Sequence, residues 1–320
     1  MLMTPSRLAA LILITSSLAG HAQTALWSPP SSGFVHDTLM GTIRPVLGFV
    51  GAAYLGAPVL DQVTRSSFAP NQQTAIFERD GVMWWARDLR SPDRLEALDR
   101  LSSVREARWA ANSASAVLMT AEELVWLVQS DTAPLLDARW NLDGEGRWMI
   151  LAADGGAQRV LLTRDEGEQR TLWLASRQNA PVKLEFLGRP TAAVFLGASD
   201  TALVADAASR QIVRLAALNT TPETAALFAL SPEAGDPVAM TLSPDGSRAF
   251  VADRTAKLIR VLNATTGEAL AELPLEFAPR EFTPAAPGRF LLNVRERAAQ
   301  PLFFLDTANQ GQVSFVPAGE

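Results

Sequence analysis

A short repeated unit constrains this chain more than any other feature, and its clearest copy spans residues 237–275. Pro-Val-Ala-Met-Thr-Leu (237–242) reads as a strand. Ser243-Pro244-Asp245-Gly246 then reads as a turn, because Pro fixes φ at the second position and Gly tolerates the exit. Arg248 to Asp253 is a second strand, Leu258 to Leu262 a third, and Asn263-Ala-Thr-Thr-Gly267 a hairpin loop before a fourth over Glu268 to Leu273. Four short antiparallel strands in about forty residues make one propeller blade, a sheet that cannot bury its two faces alone.

Copies of the unit follow in both directions. Ala-Leu-Val-Ala-Asp206 matches Ala-Phe-Val-Ala-Asp253 closely, and Gly-Arg-Phe-Leu-Leu followed by Pro-Leu-Phe-Phe-Leu-Asp306 continues the series. Toward the N-terminus, 139–162 and 108–128 are blurred copies, and weaker ones begin near Gln72 and Arg44. Blade starts near 44, 72, 108, 139, 189, 236 and 280 predict an all-β, single β-propeller of seven four-stranded blades, with six as the alternative because the first two starts are close. One stretch, Asp93 to Val104, has apolar residues at i, i+3 and i+6 and reads as a short helix or as an outer strand with its loop.

The Ser243–Asp253 segment and the Asn263-Ala-Thr-Thr-Gly267 hairpin resemble the repeats of YVTN-type and NHL- or lactonase-like propellers. The resemblance covers 189–306 well and 40–188 in degenerate form. It implies a fold; it leaves function open, since such rings host scaffolds, lyases, lactonases and dehydrogenases alike.

Residues 1–22 read as a secretory signal peptide: Arg7, an apolar run from Leu8 to Leu18, and small residues at Gly20 and Ala22. Residues 23–40 are then expected as an N-terminal extension and 41–320 as the propeller. The apolar run is too short to span a bilayer, so the chain is not membrane-spanning once the signal is removed. Uncharged Pro45 to Leu60 is broken by Gly48, Gly51, Gly56 and Pro58, and fits two strands and a turn. The chain has no cysteine, which excludes a lipobox and suits an oxidising compartment, so the periplasm or the exterior of a bacterium is the expected location. A net charge of −6 argues against nucleic acid as a partner.

Catalytic side chains are few. His36 is the single histidine beyond the signal, which leaves no basis for a histidine metal site or a Ser-His-Asp triad. No P-loop, HExxH, EF-hand loop or Gly-x-Ser-x-Gly occurs. Asp143-Gly-Glu-Gly and Asp165-Glu-Gly-Glu168 place carboxylates on turns, so calcium is the one ion worth considering; no other cofactor is expected. The regular feature is an arginine before each proposed innermost strand: Arg44, Arg108, Arg139, Arg189 and Arg280, with Asp236 in one blade. In that register they ring one mouth of the central channel and attract an anionic ligand or a partner's carboxylates; the alternative is that each pairs with an acid on the next blade. Trp109 and Trp140, directly after two of these arginines, are the aromatic candidates for the same site, against a role in inter-blade packing. The leading functional expectation is a non-enzymatic exported propeller that binds an envelope or secreted protein on one face, as a scaffold. The alternative is a lactonase- or hydrolase-like enzyme with a carboxylate and arginine site, with or without calcium, at the channel.

Overall fold

The computed structural model describes residues 31–316, apart from 49–51, 93, 130–132, 143, 145, 168, 187, 198–199, 231–234, 287, 293–300 and 309–310. The expected signal peptide, the Asp143 and Glu145 carboxylates and Glu168 fall outside the described residues.

Twenty-seven strands and no helix make up the described chain. The first sheet holds β1 (Ser31–Asp37), β2 (Thr42–Leu47) and β3 (Tyr54–Leu55). The second holds β4 (Val63–Phe68), β5 (Ala75–Arg79), β6 (Val82–Ala86) and β7 (Leu95–Ala97), and the third β8 (Glu106–Trp109), β9 (Ser115–Met119), β10 (Glu123–Gln129) and β11 (Pro134–Asn141). The fourth holds β12 (Arg147–Ala153), β13 (Arg159–Glu166), β14 (Gln169–Ser176) and β15 (Val182–Lys183), and the fifth β16 (Pro190–Phe195), β17 (Ala202–Asp206), β18 (Gln211–Ala216) and β19 (Glu223–Ala229). The sixth holds β20 (Pro237–Leu242), β21 (Arg248–Asp253), β22 (Leu258–Asn263) and β23 (Ala269–Pro274), and the seventh β24 (Phe282–Ala286), β25 (Arg289–Leu292), β26 (Leu302–Asp306) and β27 (Gln312–Val316). Every sheet is an antiparallel meander contiguous in sequence.

Packing between sheets decides the blade number. Seven apolar clusters exist, one at each junction of neighbouring sheets, and the last joins the seventh sheet to the first through Ala285, Leu291 and Phe304 against Val35 and Val46. The fold is therefore a closed seven-bladed β-propeller. Strand β9 shows how sequence produces it. Ala116 and Leu118 face the second blade, while Val117 and Met119 face the fourth. Side chains alternate with period two, and both sides are buried, so the strand is apolar throughout rather than alternating.

The first blade departs from the expectation of four strands, and the ring begins earlier than expected. Strand β1 lies within the segment expected as an extension, and Arg44 falls on the second strand rather than before the first. Gln72 sits in the turn after β4, not at a blade start, and Arg139 lies on β11, the outermost strand of its blade. The 93–104 stretch is an outer strand, β7, followed by a loop. Within 45–60 the two expected strands are β2 and the short β3, whose Tyr54 is exposed.

The turn after each innermost strand explains why the N-terminal copies are blurred. In the sixth blade Gly246 takes φ +71° and its N–H donates to Ser243 O at 2.9 Å. The same turn recurs at Ala69–Gln72, Ala110–Ser113 and Asp154–Ala157, with bonds of 2.9 Å. There the left-handed position is filled by Gln72, Ser113 and Ala157, at φ +56°, +62° and +50°. A non-glycine residue rarely adopts that region, so sequence gives little sign of it.

The repeated aspartates are structural. Asp206 Oδ1 accepts the N–H of Arg189 at 2.7 Å and of Ala208 at 2.9 Å, while its Oδ2 accepts the N–H of Ser209 at 3.2 Å. It thus fixes both the hairpin after β17 and the chain entering β16, with 2% of its surface exposed. Asp253 does the same for Ala256 and Asp236. Asp206→Ala is expected to lower stability by about 2 kcal/mol, since three backbone N–H groups lose a buried, charged acceptor; urea unfolding of the two proteins measures it.

His36 is buried, and its Nε2 lies 2.9 Å from Val63 O. Burial lowers its pKa, partly opposed by the Val63 bond and by Asp37. The unfolded chain therefore binds a proton at this site at a higher pH than the folded one. Stability is expected to fall as pH drops below about 6.5, and to stop falling from this source once the folded imidazole is protonated. Urea midpoints measured between about pH 7.5 and pH 5 should show this slope in the natural chain and lose it in His36→Gln.

Candidate functional site

Define the upper face as the one where the innermost strands β4, β8, β12, β16, β20 and β24 begin. Of the five arginines expected there, Arg108, Arg189 and Arg280 lie at or just before an innermost strand. Arg44 and Arg139 do not, because the apolar residues after them belong to later strands of their blades. The structure thus corrects the register of the expected ring.

Several of these side chains join blades. Arg108 Nη2 donates to Ile150 O on β12 at 3.1 Å, and Glu106 Oε2 accepts the N–H of Ile150 at 2.9 Å. Arg139 reaches Glu123 on its own blade at 2.8 Å and Arg100 O, in the link from the second blade, at 2.7 Å. Arg44 Nε donates to Gly56 O at 2.8 Å within the first blade. Arg280 is exposed and engaged. Arginines outside the expected set act alike: Arg65 bonds to Val104 O, Arg170 to Pro190 O, and Arg177 to Asp137.

The two tryptophans also belong to the blade junctions. Trp109 donates to Ser67 Oγ at 3.0 Å and stacks 5.5 Å from Trp85. Trp140 donates to Ser176 O at 2.9 Å on the fourth blade. Both are half-buried against apolar clusters. Trp126, fully buried, reaches Ala157 O in the same way.

With the register corrected, a different set of arginines stands before the innermost strands. Arg105 immediately precedes β8, Arg147 opens β12 and Arg189 immediately precedes β16, each forty-two residues after the last. All three are exposed, and among the described residues no carboxylate pairs with any of their side chains. The nearby acids are committed elsewhere. Asp165, directly across the strand from Arg147, bonds twice to Arg170 at 2.5 and 3.2 Å. Glu106 and Asp206 hold backbone N–H groups. In the sixth blade the position is Asp236, neutralised by Arg254 at 2.7 Å. The upper face thus carries, over three consecutive blades, an arc of three cations with no carboxylate partner among the described residues. Equal spacing was the sequence signal for Arg105 and Arg147; it was hidden because Arg108-Trp109 and Arg139-Trp140 mimic a repeat.

Other chemistry has less support. Among the described residues no group of three His, Cys, Asp or Glu is placed to hold a metal ion. Asp165 and Glu166, two of the turn carboxylates considered for calcium, pair with Arg170 and Arg164. A cavity of about 10 Å³ between the seventh and first blades is lined by Val46, Ala53, Phe304, Phe315 and Val316 with Arg289 and Ser314, and lies away from the arginine arc. No helix among the described residues is long and apolar enough to cross a membrane.

No protein-family model and no curated protein matches the chain. Solved structures do. Hydrazine synthase of Kuenenia stuttgartiensis is similar over 94% of this chain and 99% of its own, with TM-score 0.59 and 9% identity. Hsv2 of Kluyvelomyces marxianus is similar over 87% and 93%, with TM-score 0.57 and 10% identity. The Cps50 (Swd1) β-propeller domain of Myceliophteria thermophila is similar over 83% and 94%, with TM-score 0.51 and 12% identity. At such identities the likeness concerns the fold: this chain is a seven-bladed β-propeller.

Proposed function

We propose that the protein is an exported, non-enzymatic binding module, built from YVTN-like repeats, that holds an acidic segment of an envelope or secreted protein on its upper face. The observation that carries this reading is the Arg105–Arg147–Arg189 arc, three exposed guanidinium groups at the starts of three consecutive innermost strands, with no carboxylate partner among the described residues. Guanidinium groups bind carboxylates in a paired, planar geometry. An open, solvated arc suits an extended chain that touches all three better than a small anion, which needs enclosure to bind tightly. Export rests on the reading of residues 1–22 as a signal peptide, and points to the periplasm or the exterior. The hydrolase-like alternative needs three or more carboxylates converging at the channel, and no observation on the described residues favours it.

A labelled deca-glutamate peptide is the probe. The natural chain is expected to bind it in fluorescence anisotropy, more weakly as salt rises. Replacing Arg105, Arg147 and Arg189 together with Ala is expected to weaken binding about tenfold, from roughly 0.5 kcal/mol for each exposed pair. Arg90→Ala with Arg94→Ala, on the opposite face, should leave it unchanged. Equal binding by the two multiple variants would sink the proposal.

A further inference from the structure

The flank of the second blade that faces the first is not fully covered. Trp84 on β6 and Leu95 on β7 pack half-buried against the apolar cluster shared by these two blades. Val82, two residues before Trp84, lies on the same flank, because side chains alternate along a strand, and it is 38% exposed. The first blade offers little sheet to cover this flank, since its outermost strand is only Tyr54–Leu55. The flank opens into a cavity of about 320 Å³, lined by Arg79, Asp80, Val82, Trp84 and Leu95. A tight turn fixes its walls. Strands β5 and β6 are joined by Asp80 and Gly81, at φ +53° and +76°, a two-residue hairpin that suits the twist of paired strands. Arg79 and Val82 pair across that turn and so hold their places at the upper end of the cavity.

The cavity adjoins the upper face. Strand β4 descends from that face, β5 rises to it and β6 descends again, so the Asp80–Gly81 turn lies there. Arg79 pairs with Val63 at the upper start of β4. Arg65, two residues further along β4, donates from Nη1 to Val104 O at 3.3 Å, and Val104 directly precedes Arg105. The cavity and the first arginine of the arc are thus separated by the second blade alone. Neighbouring sheets stand about 10 Å apart, which puts the cavity on the order of 10 to 15 Å from Arg105.

We infer that this cavity receives an aromatic side chain carried by the same acidic segment that the arginine arc holds, a reading on which the inference rests. The volume suits one large side chain rather than a folded element. Trp84 offers an indole for edge-to-face or offset contact, Val82 and Leu95 supply apolar walls, and the Arg79 guanidinium stands where it meets an aromatic face. An aromatic side chain seated in a pocket is a frequent anchor of protein interfaces, and it adds the apolar contact that an arc of charges lacks. Asp80 limits what lies next to the anchor. Its side chain is 69% exposed at the rim, 3.6 Å from Arg79 Nε, and repels a glutamate beside the cavity. Anchor and acids are therefore set apart by neutral residues, and three of these in an extended chain bridge about 13 Å, the span back to Arg105.

The probes are labelled deca-glutamate peptides joined through three serines to one phenylalanine, at either end, and the same peptides ending in alanine. The two orders serve both directions along the arc. In fluorescence anisotropy one phenylalanine peptide is expected to bind about tenfold tighter than its alanine counterpart. Val82→Gln, at a partly exposed position, is expected to remove most of that gain and to leave the binding of plain deca-glutamate unchanged. The Trp84 indole N–H signal in NMR, identified by its loss in Trp84→Phe, should shift with the phenylalanine peptide and stay in place with the alanine one. Equal affinities in both orders, a gain that Val82→Gln leaves whole, or an unmoved Trp84 signal overturns the inference. Where deca-glutamate binds without such a gain, only the anchor falls; where the natural chain binds none of the peptides, the reading of the arginine arc falls with it.

Discussion

The structure depends on apolar contact between neighbouring sheets. A single blade here has two greasy faces and no helix to cover either, so no blade is stable on its own. Each is buried by the next, and the seventh by the first, through seven separate clusters rather than one shared core. The arrangement determines the sequence. Inner strands such as Ser115–Met119 and Ala202–Asp206 must be apolar on both sides, while outermost strands such as Glu223–Ala229 have open positions and are largely polar or small. With no disulfide in the chain, these contacts carry the ring, and polar ties between blades set its geometry.

Those polar ties explain why so many arginines are present in an acidic protein. Arg65, Arg108, Arg139, Arg170 and Arg177 each reach a carbonyl or carboxylate of an adjoining blade or of the link to it. Their long side chains cross the wedge between sheets that short ones cannot cover, and the guanidinium satisfies groups left by the ladder. The tryptophan N–H groups at 109, 126 and 140 do the same from the apolar side. Against that background Arg105, Arg147 and Arg189 stand out as exposed arginines with no carboxylate partner among the described residues.

The fold was legible in the sequence where backbone geometry had a residue type to announce it. Ser243-Pro-Asp-Gly246 and Asn263-Ala-Thr-Thr-Gly267 put glycine at the left-handed positions, so the sixth blade was located almost to the residue. Gln72, Ser113 and Ala157 adopt the same conformation held by tertiary contacts, among them the Asn71 N–H bonded to Ser113 Oγ and the bonds made by the Gln72 amide. Propensity does not reveal a conformation that packing enforces. Blade starts in that region were therefore misplaced at 44, 72 and 139, and with them part of the candidate site. Arg189 survived because its blade lies in the well-marked part of the chain. Arg105 and Arg147 emerged only when the strand boundaries were known.

The unbroken alternation of strand direction has a topological consequence. Strands alternate in direction along an unbroken meander, so odd-numbered strands all rise and even-numbered ones all descend. The described chain starts and finishes on rising strands, which puts Ser31 on the lower face and Val316 on the upper. A label at Ser31 and a label at Val316 would therefore meet opposite sides of the ring, the second on the side that carries the arginine arc.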